Sequence, residues 1–151
     1  ARPISTLQLQ LQTSPGVFTN DLSLSGSLNS QAALVWDNDN NEYIGMEGGT
    51  VYRWAASGSS LSNVTLVGYG TLNSESSYPN NRGVAWASGY YLTYSNGVLS
   101  AWDSQGARID TTNLTGAGIT FDSHFSISYA QGKAWVVDDN NGIWRGYDVG
   151  I

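Results

Sequence analysis

The sequence predicts an all-β protein assembled from three four-stranded antiparallel units, and three observations carry that expectation. Short segments of roughly four to six residues, rich in β-branched and aromatic side chains, alternate with clusters of Gly, Asn, Asp and Ser. The pattern recurs with a period of about 45–48 residues, as when one supersecondary unit is repeated. Apolar residues at helical spacing are sustained nowhere in the 151 residues.

Along the chain, residues 1–30 come first as a strand segment outside the repeats. Thr6-Leu7-Gln8-Leu9-Gln10-Leu11-Gln12 alternates strictly, placing Leu7, Leu9 and Leu11 on one face. Asp21-Leu22-Ser23-Leu24-Ser25 alternates likewise, and Pro15-Gly16 breaks the chain between the two. The first repeat, 31–82, runs Ala33–Trp36, a turn, Tyr43–Met46, Gly48-Gly49, then Val51–Trp54. The second, 83–125, runs Gly83–Trp86, a turn, Tyr91–Tyr94, Asn96-Gly97, then Val98–Trp102. The third, 126–151, runs Ser126–Tyr129, a turn, Trp135–Val137, Asn141-Gly142, then Ile143–Tyr147. Gly-Gly and Asn-Gly suit type I′ hairpin turns, whose two central residues both need positive φ. Ser57-Gly58 and Gln105-Gly106 mark a further turn, leading to outer strands at Asn63–Val67 and Ala107–Asp110. The third repeat has no such outer strand. Aromatic residues recur at fixed places, Trp36, Trp86 and Tyr129 in the first strands and Trp54, Trp102 and Tyr147 in the third. Packing between the units would produce that recurrence.

A four-stranded meander of this period resembles a blade of a β-propeller. The turn Ala101-Trp102-Asp103-Ser104-Gln105-Gly106 is similar to the strand-end pattern of PQQ-like and WD-type blades. The resemblance covers roughly residues 31–151 and implies a propeller, or a partial propeller completed by oligomerisation. The Gly-His pair of the WD type is missing, and three blades are too few to surround the cofactor of catalytic PQQ enzymes. No cofactor is therefore required. Propellers close with four to eight blades, which leaves the N-terminal strand to complete a blade. It could do so in its own third repeat or in a neighbouring chain, two chains then forming a six-bladed ring or many a filament. A third arrangement makes the 151 residues an excerpt of a longer propeller.

Composition narrows the function. Twelve acidic residues against six scattered basic ones give a net charge of −6, which argues against nucleic acid as a partner. No apolar run approaches the ~20 residues that cross a bilayer, so no membrane insertion is expected. Cys is absent, which removes disulfides and thiolate nucleophiles. A surface dominated by Ser, Thr, Asn and Gly, with sequons at Asn63 and Asn113, points to an extracellular, cell-surface or virion-surface location.

Candidate chemistry is sparse. The single histidine, His124, lies in Phe121-Asp122-Ser123-His124-Phe125 without a nucleophile-elbow pattern. A pair among Glu42, Glu47, Glu75, Asp110 and Asp122 could serve glycoside hydrolysis, yet no spacing singles one out. The expectation is a protein that is not an enzyme. Asp37, Asp39 and Asn41 alternate oxygen donors and make Ca²⁺ a candidate ligand, while the same residues are favoured in a plain hairpin turn. Six Trp and nine Tyr against three Phe are the strongest compositional signal. Their flat apolar faces and polar edges suit sugars. Outside the recurring positions, Tyr69, Tyr78, Tyr90, Trp135 and Trp144 are the candidate glycan contacts.

The leading expectation is therefore a multivalent, lectin-like recognition module whose partners are glycans, identical subunits or both. The alternative is a structural subunit of an extracellular filament or virion appendage assembled by strand exchange through Leu7, Leu9 and Leu11. A glycoside hydrolase or lyase fragment is the lesser alternative.

Overall fold

The computed structural model describes residues 6–25, 33–69, 83–95, 97–114, 127–138 and 142–151. All of its regular elements are strands. The hairpin β1 (Thr6–Ser14) and β2 (Val17–Ser25) stands as a two-stranded sheet. The first sheet comprises β3 (Leu34–Asp37), β4 (Glu42–Glu47), β5 (Thr50–Ala55) and β6 (Val64–Thr65). The second comprises β7 (Ala85–Ala87), β8 (Tyr90–Ser95), β9 (Val98–Asp103) and β10 (Arg108–Asn113). The third comprises β11 (Ile127–Ala130), β12 (Lys133–Asp138) and β13 (Ile143–Asp148), with no fourth strand among the described residues. Each sheet is an antiparallel meander in chain order, as the repeat pattern predicts.

Turn chemistry fixes the registers. Gly48 and Gly49 both have positive φ, 57° and 81°, which is the type I′ geometry expected between β4 and β5. Ser88 and Gln131 reach positive φ without being glycine, each just ahead of a glycine in the two-residue turns that end β7 and β11.

The core lies between sheets, and it repeats. Ile44, Met46 and Val51 of the first sheet, with Leu66, pack against Val84, Tyr91 and Trp102 of the second. One sheet further, Leu92, Tyr94 and Leu99, with Leu114, pack against Ile127, Ala134 and Val136 of the third, beside Tyr147. The two leucines are equivalent: the Leu66 amide donates to Gly49 and the Leu114 amide to Gly97, both at 2.8 Å. Trp102 is fully buried and donates its indole N–H to Thr93 Oγ1 at 2.9 Å. Burying side chains of this size contributes about 1.5–3 kcal/mol each.

The N-terminal hairpin joins the same series. Leu24, also fully buried, packs with Leu9 and Leu22 against Trp54 of the first sheet. The Ser25 amide donates to Gly58 as the Val67 amide donates to Gly106. In ladder register Leu22 faces Leu9 as Val64 faces Val51. β2 thus stands before the first sheet as β6 stands before the second, and β1 takes the place of β5. The sequence leaves the N-terminal strand to complete a blade in its own chain or in a neighbouring one. Within the chain, β1 is paired with β2, and Leu9, Leu22 and Leu24 find their apolar partner in Trp54.

Glycine is needed where consecutive units touch. At Gly106 (φ 84°) an added Cβ would run into the Thr65 carbonyl oxygen, and at Gly58 (φ 86°) into that of Ser23. Gly142 also has positive φ, 64°, with open space around it. Gly106→Ala is expected to lower stability by about 3 kcal/mol or more in urea unfolding, combining backbone strain with a clash. Gly142→Ala should cost only about 1 kcal/mol, from the backbone alone.

Candidate functional site

A concavity opens between the second and third sheets. It measures about 450 Å³, and one wall is built from Tyr90, Leu99 and β10 residues Asp110, Thr112 and Asn113. The other wall is the segment from Tyr147 to Ile151. Its position explains its existence. At the two preceding junctions the turn after the third strand presses its glycine on the neighbouring outer strand, and a tryptophan fills the space behind. At this junction Tyr147 replaces tryptophan, and Gly150 meets nothing within 4 Å of its Cβ direction. The seam stays open.

The rim mixes apolar and polar groups. Ile109 is 57% exposed at the mouth. Asp110 Oδ1 accepts from the Thr111 amide at 2.8 Å, which orients that carboxylate. Asp148 is paired with Lys133 Nζ at 2.5 Å. The Tyr129 hydroxyl donates to the Ile151 carbonyl at 3.1 Å and holds the terminal wall in place. Tyrosine faces beside carboxylate and amide oxygens can stack on apolar C–H patches and accept hydroxyl hydrogens.

Of the glycan contacts expected from the sequence, the structure brings only Tyr90 to this cleft. Tyr69 lies over Gly49 with its ring 6.0 Å from Trp102, inside the packing between first and second sheets. Trp135 is half-buried across Gly146, its indole donating to the Ala130 carbonyl at 3.2 Å. Trp144 is 52% exposed on β13. Tyr78 lies outside the described residues, as does His124. Sequence reasoning missed Tyr147, Asp110 and Asn113 as neighbours of one cleft. The signal was the break in the series Trp54, Trp102, Tyr147, which marks the junction where the cleft opens.

The candidate Ca²⁺ loop is organised by the chain's own donors. Asp37 is buried, its Oδ1 accepting from the amides of Asp39 and Asn40 at 2.8 and 3.1 Å, and its Oδ2 from Asn40 Nδ2 at 2.8 Å. Asp39 Oδ2 accepts the Trp86 indole N–H at 2.9 Å, tying the first repeat to the second. Asn41 has a φ of 56°, as a turn residue. This is Asx-turn geometry, and no group of three or more His, Cys, Asp or Glu gathers among the described residues. Asn63 and Asn113 are both exposed. Leu9 is half-buried on the hairpin, while Leu7 and Leu11 stand opposite Leu24 and Asn20 in register.

A charged pair lies near the junction between the first and second sheets. Arg53 makes a paired contact with Glu42, Nε to Oε2 at 2.8 Å and Nη2 to Oε1 at 2.9 Å. Tyr91 lies buried nearby, and burial raises its phenol above the usual 10.0; Arg53 opposes that rise, while Glu42 and Asp37 add to it. A raised folded-state value means that the neutral phenol's contribution is complete below the unfolded value and is lost as pH climbs past it. Stability should therefore fall above about pH 10, and in Tyr91→Phe the fall in urea midpoint between about pH 9 and 11 should be shallower.

No protein-family model matches the chain, and no curated protein matches it. Among solved structures the chain is similar to the WD40 domain of Pan2 from Neurospora crassa, at 12% identity and a TM-score of 0.41. That match covers 79% of this chain, which spans 38% of the length of the other.

Proposed function

We propose that the chain is a non-catalytic recognition module that binds carbohydrate in the cleft between the second and third sheets. The observation carrying this reading is the unsealed junction itself, where Tyr90 and Tyr147 stand beside Asp110 and Asn113 around about 450 Å³. That volume suits a small ligand of one to a few sugar rings. Its lining supports sugars over a purely apolar ligand, since Asp110, Thr111, Thr112 and Asn113 bring polar groups to one wall.

A place outside the cell or on a cell or virion surface accords with this reading. Support comes from the uncharged polar surface and the exposed Asn63 sequon. The net charge of −6 favours neutral or amino sugars over anionic ones.

A glycan array with the intact chain should show binding, and titration calorimetry should confirm it in solution. Tyr90→Ala and Asp110→Asn are each expected to weaken binding about tenfold or more. Val67→Ala, at an exposed site away from the cleft, should leave affinity unchanged. A folded protein silent on the array, or binding indifferent to Tyr90→Ala, would remove the proposal.

A further inference from the structure

We propose that two copies of this chain close a six-bladed ring, the third sheet of each packing against the first sheet of the other. β13 of one copy then takes β2 of the other as its fourth strand.

The starting point is a comparison of equivalent positions. The face that each sheet turns to its successor carries Ile44, Met46 and Val51 in the first sheet and Leu92, Tyr94 and Leu99 in the second, none more than 7% exposed. Ladder register places Trp135, Val137 and Trp144 at the same positions in the third sheet. There Trp144 is 52% exposed and the other two are only half-buried. Among the described residues, an apolar face of the kind that builds both internal junctions is thus left without a successor.

The matching deficit lies at the other end of the series. The face that receives a preceding sheet carries Val84 and Tyr91 in the second sheet, 0% and 2% exposed. The equivalent Leu34 and Tyr43 of the first sheet are half-buried, and Trp36 is 41% exposed. Among the described residues this face is covered by the β1–β2 hairpin through Leu9, Leu22 and Leu24, which leaves Leu34, Tyr43 and Tyr52 half-buried. A donor face and a receiver face of one interface type are both open, which is how the internal junctions continue into a second copy.

The hairpin tells which strand must move. β2 already stands in the outer-strand place, and β1 stands where a third strand belongs, with Leu9 opposite Leu22 as Leu99 is opposite Thr112. Among the described residues, β13 is a third strand without an outer neighbour in its own sheet. In the ring it replaces β1 beside β2, and the composite sheet β11–β12–β13 plus β2 is antiparallel throughout. β1 therefore acts as a placeholder that shields β2 until a second copy arrives. Each copy contributes two complete sheets and one composite, so two copies give six blades, within the closing range of four to eight.

The register predicts that Ile143 lies across from Ser23 of the other copy, as Thr50 lies across from Thr65. The chain has no cysteine, so single-cysteine variants read this cleanly. Mixing Ser23→Cys with Ile143→Cys under oxidation should give a disulfide-linked pair in higher yield than either variant alone. Light scattering on the intact chain should show a mass twice 16.2 kDa at high concentration. Trp144→Asp, with its sheet signal in circular dichroism retained, should be monomeric. Leu9→Asp weakens the placeholder and should tighten dimerisation about tenfold. A monomer at every concentration, an open polymer, a dimer indifferent to Trp144→Asp, a dimer lost in Leu9→Asp, or equal cross-linking by single variants would each overturn the ring. The cleft lies on the opposite face of the third sheet, so sugar binding is read independently of this outcome.

Discussion

One contact organises the molecule: the outer-strand leucine of each unit buried against the third-strand aromatic of the next. Leu24 meets Trp54, Leu66 meets Trp102, and Leu114 sits in the cluster that Tyr147 packs against. Each single sheet is a meander with an apolar face that it cannot cover alone. The leucine–aromatic pair sets how far apart consecutive sheets stand. The glycine turns at Gly58 and Gly106 then allow the backbones to approach. The proposed binding cleft lies where this contact is altered.

The third junction shows the alteration. Exchanging indole for phenol at Tyr147 removes a ring and an N–H donor, and the seam it would have closed becomes a cleft. The junction between the first and second sheets goes the other way, holding the part-buried Arg53–Glu42 pair near buried Asp37 and Tyr91. A buried phenol among carboxylates favours its neutral form, so this set is structural at neutral pH.

Strand identity and the recurrence of the antiparallel unit were legible in the sequence because two independent signals agreed. β-branched and aromatic runs marked the strands, and Gly-Gly, Asn-Gly and Ser-Gly pairs marked the turns. The role of Trp54 and Trp102 was legible too, since a residue recurring at one register faces one recurring environment. The place of the N-terminal strand was not. Alternating Leu and Gln show that one face is apolar, but alternation names no partner, and Leu9 could have packed on any uncovered aromatic. The cleft was equally hidden, because Asp110 and Asn113 reach Tyr147 only through the spacing of two sheets far apart in sequence. The Asp37 loop read ambiguously for a simple reason: the oxygen donors that suit a cation are also those that cap a turn.

Every ladder within the described residues joins strands that are neighbours in the chain. No strand has to wait for a distant segment before it pairs, so loop-closure entropy is small at each step. A chain emerging from the ribosome can therefore finish one meander before the next is synthesised, and each finished sheet offers a template for the following one. Such vectorial growth keeps edges briefly exposed and limits the misassembly to which long-range β topologies are prone.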